Sequence, residues 1–137
     1  MNVEVRGLDE LVRKAQRMGR DTGPMLTRTM DRAVKYVHSQ VPPYPPAPPD
    51  SRYRRTGLLG RSITTEVRAL GGATVGVIGT NVAYAPDVIS SEPANGRGPE
   101  KWYHKRTGWY TLQGVVAKAE RQIVVIFEAA LDRLIGD

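Results

Sequence analysis

The sequence predicts an α+β fold: a small antiparallel sheet packed against N-terminal helices and one long C-terminal helix, with an extended proline-rich arm. Three observations carry this. Apolar residues recur at helical spacing over 8–41 and again over 111–135. They alternate at strand spacing over 63–77. Six prolines within the eight residues 42–49 separate the first helical region from the strands. Strands and helices are therefore segregated, which argues against a doubly wound sheet.

Asn2 to Arg6 alternates and predicts a short strand, closed by Gly7. Leu8, Leu11, Val12, Ala15 and Met18 then predict a helix, with Arg13, Lys14, Arg17 and Arg20 mostly on its other face. Asp21 or Thr22 can cap a second helix, and Pro24 suits its first turn, where the missing N–H costs nothing. Leu26, Met30, Ala33, Val34, Val37 and Val41 form its apolar stripe, and Pro42 and Pro43 stop it.

The run Pro42-Pro43-Tyr44-Pro45-Pro46-Ala47-Pro48-Pro49 has few backbone donors and predicts extended polyproline II. It reads either as a rigid linker or as an arm laid on a neighbouring subunit. Beyond it, Ile63, Thr65, Val67 and Ala69 alternate with Thr64, Glu66 and Arg68, a half-buried strand. Gly71-Gly72 signals a hairpin turn, and Ala73, Val75 and Val77 a return strand. Gly76 and Gly79 point to a bulge or a close backbone approach. Val82, Tyr84 and Val88-Ile89 suggest a further strand interrupted at Pro86.

Residues 90–108 read as a long loop, aromatic and basic towards its end. Leu112, Val116, Ala119, Ile123, Ile126, Phe127, Ala130 and Leu134 predict a closing helix over 111–135, roughly 38 Å long at about 1.5 Å per residue. Within it Ile123-Val124-Val125-Ile126-Phe127 is apolar all round, which implies burial on more than one side and marks a candidate subunit contact. Pro42, Pro43, Tyr44, Pro45 and Pro46 are the second candidate contact.

A chain of 137 residues fits one domain, here 1–137 with the arm at 42–56. The absence of cysteine excludes disulfides and thiolate metal sites. Met1 to Arg6 has no apolar h-region and the longest apolar run is five residues, so neither a signal peptide nor a membrane span is expected. A formal charge of +6 favours polyanionic partners such as DNA.

Catalytic patterns are not found. His38 and His104 stand in no metal-binding spacing, and each reads as structural. Gly60-Arg61-Ser62-Ile63-Thr64 lacks the second glycine of a nucleophile elbow and leads into a strand. The glycines at 71, 72, 76 and 79 do not spell a dinucleotide fingerprint. No carboxylate pair stands out. The expectation is a protein that is not an enzyme and needs no cofactor.

Two basic segments remain. Arg52, Arg54, Arg55 and Arg61, with Tyr53 among them, are candidate DNA-facing or lumen-facing residues. Lys101, Lys105 and Arg106, beside Trp102, Tyr103, Trp109 and Tyr110, read either as a phosphate-neutralising segment that combines charge with stacking, or as a solvated loop or one whose rings anchor it to the core, the reading preferred for the two tryptophans.

The order of short motifs resembles the neck or tail-completion family of long-tailed bacteriophages. The motifs are Thr56-Gly57-Leu58-Leu59-Gly60-Arg61-Ser62-Ile63, then Gly76-Val77-Ile78-Gly79-Thr80, then Tyr84-Ala85-Pro86-Asp87-Val88, then the closing helix. They look like that family's T-G-x-L-x-x-S-I, glycine-bearing strand and Y-A-x-x-V. Ile89-Ser90-Ser91-Glu92-Pro93 departs from the acidic residue and G-T that many members carry next, so no role transfers to the loop. The resemblance implies a structural virion protein assembled in the host cytoplasm. It implies a homo-oligomeric ring, sixfold or twelvefold, at the head–tail junction, meeting other head-closure and tail proteins and passing DNA without sequence preference. It implies no catalytic residues. The alternative is a DNA-binding module using the arginine-rich segment 52–61.

Overall fold

The structure is a computed structural model of the single chain, and it describes residues 1–5, 13, 17, 23–47, 49, 56–70, 73–91 and 108–136. Its elements in chain order are β1 (Asn2–Val5), α1 (Gly23–Ser39), α2 (Leu58–Ser62), β2 (Thr64–Leu70), β3 (Ala73–Gly79), α3 (Ala85–Ile89) and α4 (Leu112–Gly136). The α+β class is as the sequence predicts. Of the helix expected over 8–18, only Arg13 and Arg17 are described; both are helical and exposed, and the apolar stripe lies outside the described residues. The Asp21/Thr22 cap and the Gly71-Gly72 turn also lie outside them.

The sheet is antiparallel throughout, in the order β1-β3-β2. Its register pairs Val3 with Ile78 and Ile78 with Thr65, and it runs without a bulge to Leu70↔Ala73. The two glycines of β3 mark close approaches instead. A Cβ at Gly76 would strike Val34 Cγ1 and stand 2.6 Å from Met30 Sδ. A Cβ at Gly79 would strike Asn2 Oδ1 and the Met1 carbonyl. So α1 lies against one face of the sheet at Gly76 because no side chain holds it off. The Met1 ammonium donates to the Thr80 carbonyl at 2.9 Å and Thr80 N–H donates back to Met1 at 3.0 Å, carrying the β1–β3 ladder one pair further.

Helices α1 and α4 run antiparallel, since Met25 at the start of α1 clusters with Leu131 near the end of α4. The α1 stripe is as expected at Met30, Ala33, Val34 and Val37, all buried, while Leu26 and Val41 are half-buried at its margin and Met25 and Thr29 are buried instead. On α4 the stripe is offset. Leu112, Val115, Ala119, Ile123, Phe127 and Leu131 are buried, whereas Val116, Ile126, Ala130 and Leu134 are half-buried. Spacings of three then four residues keep the first set on one line facing α1.

Two short helices stand where the sequence pattern predicts strand or loop. The strand expected around Val82 to Ile89 is the helix α3, because Pro86 falls in a first helical turn, where proline fits, rather than in a sheet, where it would break a ladder. Leu58–Ser62 is also helical, entered through Gly57 at φ 77, so β2 begins at Thr64 and Ile63 is the buried residue that caps α2. Residues 41–47 hold neither helix nor strand. The extended arm expected over 42–56 is described only in part, and the described part is tied to the rest of the chain at Tyr44.

Candidate functional site

The segments that carry the family resemblance meet in one place. Thr56 Oγ1 accepts from Leu58 N–H at 3.3 Å, and Gly57 takes the left-handed conformation that starts α2. Leu59 and Ile63 enter the core beside Ile78, Ala85 and Ile89. Ser62 Oγ donates to the Leu59 carbonyl at 2.7 Å and lies 2.7 Å from Thr80 Oγ1, which also accepts from Val82 N–H at 3.1 Å. Ser62 has one hydrogen, used on Leu59, so Thr80 is the donor between the two hydroxyls. Of Tyr84-Ala85-x-x-Val88, Ala85 is buried, Val88 is half-buried and Tyr84 is 42% exposed.

A second cluster forms around the proline run. Tyr44 turns inward, and its hydroxyl accepts from Gly60 N–H at 2.7 Å. Its ring stands 5.1 Å from that of Trp109, tilted 52°, and Trp109 stands 6.1 Å from Tyr110. Pro45 is half-buried, while Pro42, Pro43, Pro46, Ala47 and Pro49 are exposed. A tyrosine alone in a proline run was the available signal for an anchor; its partners, sixteen residues away at Gly60 and farther at Trp109, were not legible. The expectation that the aromatic loop end anchors to the core holds at Trp109 and Tyr110, which pack against it. Trp102, Tyr103, His104, Lys101, Lys105 and Arg106 lie outside the described residues.

Beside this cluster the facing ends of α1 and α4 leave a cleft of about 270 Å³, lined among others by Tyr36, Gln40, Pro42, Tyr110, Gly114 and Lys118. Tyr110 Oη is buried with no hydrogen-bond partner, and burial, with a smaller contribution from Tyr44, pushes its pKa up to about 12. Leaving such a donor unmade costs about 1–3 kcal/mol. Thr111 caps α4, its hydroxyl accepting from Gly114 N–H at 3.0 Å. Gln113 fastens the same end to the chain after α3, donating to Ser90 Oγ at 3.1 Å and accepting from Ser91 N–H at 3.0 Å.

The candidate residues divide accordingly. Arg52, Arg54 and Arg55 lie outside the described residues. Arg61 is exposed and donates to the Thr56 carbonyl at 3.2 Å. Other basic residues, not singled out by sequence, are exposed on α1 at Arg28, Arg32 and Lys35; Lys35 pairs with Asp31 at 2.7 Å. Across β2, Arg68 hydrogen-bonds Glu66 at 2.8 Å and holds that carboxyl below its usual range. In the apolar segment of α4, Ile123 and Phe127 are buried in the core of the chain itself, so they are not exposed as the expected contact requires. The expected contact narrows to Val125, 51% exposed, with Val124 and Ile126 half-buried on either side. His38 is exposed at the end of α1.

Among the described residues no group of three or more metal-ligating side chains converges, and no helix is long and apolar enough to cross a membrane. Comparison with family models, curated proteins and solved structures finds no match to this chain.

Proposed function

We propose that this chain is a structural ring subunit at the head–tail junction of a tailed-phage particle, a neck or tail-completion protein. The observation that carries the reading is the joining of its motifs. Gly57, Leu59, Ser62 and Ile63, Gly76 to Thr80, and Ala85 belong to one contiguous unit, where they supply a left-handed entry, buried side chains, a paired hydroxyl and close backbone approaches. The segments that resemble the family's motifs thus pack together in one folding unit, and this supports the reading. The exposed prolines and Val125 supply surfaces for neighbours, and the charge of +6 suits a channel that passes DNA. Images of virions carrying a labelled copy test the reading: label at the head–tail junction supports it, and label absent from particles overturns it.

A second reading is a DNA-binding module using Arg52 to Arg61. Arg61 is exposed, and Arg28 and Arg32 add exposed charge on α1. Such a module loses affinity steeply with salt. Binding unchanged when Arg52, Arg54 and Arg55 become alanine rejects that segment as the contact.

A further inference from the structure

Strand β2 is an edge strand with its pairing unfinished. We infer that it pairs antiparallel with β2 of a second copy of this chain, about a two-fold axis at Val67. The inference goes beyond the ring reading and does not rest on it. A strand on its own copy is an isologous contact that closes on two chains, whereas a ring needs a heterologous one.

In the order β1-β3-β2, β2 has β3 on one side and, among the described residues, no strand on the other. No loop or turn hydrogen bond among them reaches its backbone. The strand is seven residues long, with no proline and no bulge in its pairing with β3. Proline and bulges are devices that keep an edge from pairing with another chain. The cover of β2 is incomplete as well. Val75, Val77 and Ile78 of β3 are buried, whereas on β2 Thr65, Val67 and Arg68 are half-buried and Thr64, Glu66 and Ala69 exposed.

The charges of the strand select a second copy as its partner. Val67 is the middle residue of Thr64–Leu70, and Glu66 and Arg68 stand either side of it. Antiparallel pairing centred on Val67 sets Glu66 of each copy against Arg68 of the other on one face. It sets Val67 against Val67, and Thr65 against Ala69, on the other face. The whole length of the strand is then paired. Side chains alternate between faces, so the nearest registers that keep each face together are slipped by two residues. One slip sets Glu66 against Glu66, and the other sets Arg68 against Arg68. Parallel pairing in register does both. Within one chain Arg68 hydrogen-bonds Glu66 at 2.8 Å, yet their side chains remain 41% and 57% exposed. A guanidinium has five donors and a carboxylate two oxygens, so each can serve its own strand and the facing one together.

Two differently tagged full-length variants, Glu66→Arg and Arg68→Glu, test the pairing by sedimentation at low salt. Each variant loses the ion pair within its own strand and sets two like-charge pairs across the axis. Wild type is expected to approach twice the chain mass as its concentration rises, and each variant alone to associate about tenfold or more weakly. Mixed, the two variants are expected to pair with each other, because the basic strand of one then faces the acidic strand of the other. That rescue has no local origin, since neither chain regains its own ion pair. Both side chains are exposed, so the urea midpoint of each variant stays near that of wild type and shows that it is folded. A mixture that associates no better than either variant alone overturns the pairing. A wild-type chain that is monomeric at every concentration also overturns it and gives the edge to a foreign strand. Closed rings that form alike from wild type and from each variant overturn the pairing and leave the ring reading standing.

Discussion

The hydroxyls of Ser62 and Thr80, eighteen residues apart, lie 2.7 Å from each other and join the end of α2 to the end of β3. Thr80 is buried, so its hydroxyl has no water to turn to if Ser62 is lost. Ser62→Ala is expected to destabilise the fold by about 1–3 kcal/mol, the cost of an unpaired buried hydroxyl. Thr80→Val also strips the acceptor from Val82 N–H and costs at least as much. The double variant falls short of the sum, because the two share one bond. Urea unfolding of the four proteins measures this; strict additivity contradicts the pairing.

Two glycines separate crowding from backbone strain. Gly76→Ala drives a methyl into Val34 and Met30, and overpacking of this kind costs about 1–3 kcal/mol. Gly57→Ala meets nothing within 4 Å but sits at φ 77, which costs an L-residue about 1–2 kcal/mol. Gly57→Asn recovers part of that loss, whereas Gly76→Asn is worse than Gly76→Ala. Thermal unfolding of the four variants checks the reversal.

These contrasts mark what the sequence could tell. Helix α1 and the hairpin were legible because their signals are local: Met30, Val34 and Val37 recur by turns, and Thr65, Val67, Val75 and Val77 by pleats. Helix α4 was legible in extent but not in rotation, since an all-apolar segment such as Ile123 to Phe127 leaves the buried line undetermined by one position. Helix α3 is hidden in the sequence because Val82, Tyr84, Val88 and Ile89 look like strand residues, and only the place of Pro86 in a first turn decides against a strand. The cleft was not legible: Tyr36 and Tyr110 line one space only because α1 and α4 are antiparallel, a tertiary fact. The candidate contacts of α4 were legible as a segment, but which of its five residues faces out depended on that same packing.

Phe127 and Val125 are two residues apart and differ in everything but hydrophobicity. Phe127 is 1% exposed, and Phe127→Ala is expected to cost about 3–5 kcal/mol. Val125 is 51% exposed, and Val125→Ser shifts the stability of the isolated subunit by no more than about 0.5 kcal/mol. If the exposed face of α4 meets a neighbour, Val125→Ser weakens assembly while the urea midpoint of the subunit stays put.

Tyr110 titrates late. Burial, then Tyr44, pushes its pKa up to about 12 in the folded chain, against the ordinary tyrosine value of 10.0. The raised value means that the folded state keeps the proton where the unfolded state releases it. The contribution of Tyr110 to stability is therefore complete below about pH 10 and is lost as pH rises towards about 12. Tyrosinate absorbance should show a component that titrates last and disappears in Tyr110→Phe. An unchanged curve in that variant contradicts the burial of this hydroxyl.

If the chain is the ring subunit we propose, copies of it close on one another. Native mass measurement of the purified full-length protein over a range of concentrations, together with the particles it copurifies with, tests it most directly. The account predicts a discrete closed species of sixfold or twelvefold stoichiometry, formed alone or on contact with tail or head-closure components. A protein that stays monomeric throughout and is absent from virions contradicts it.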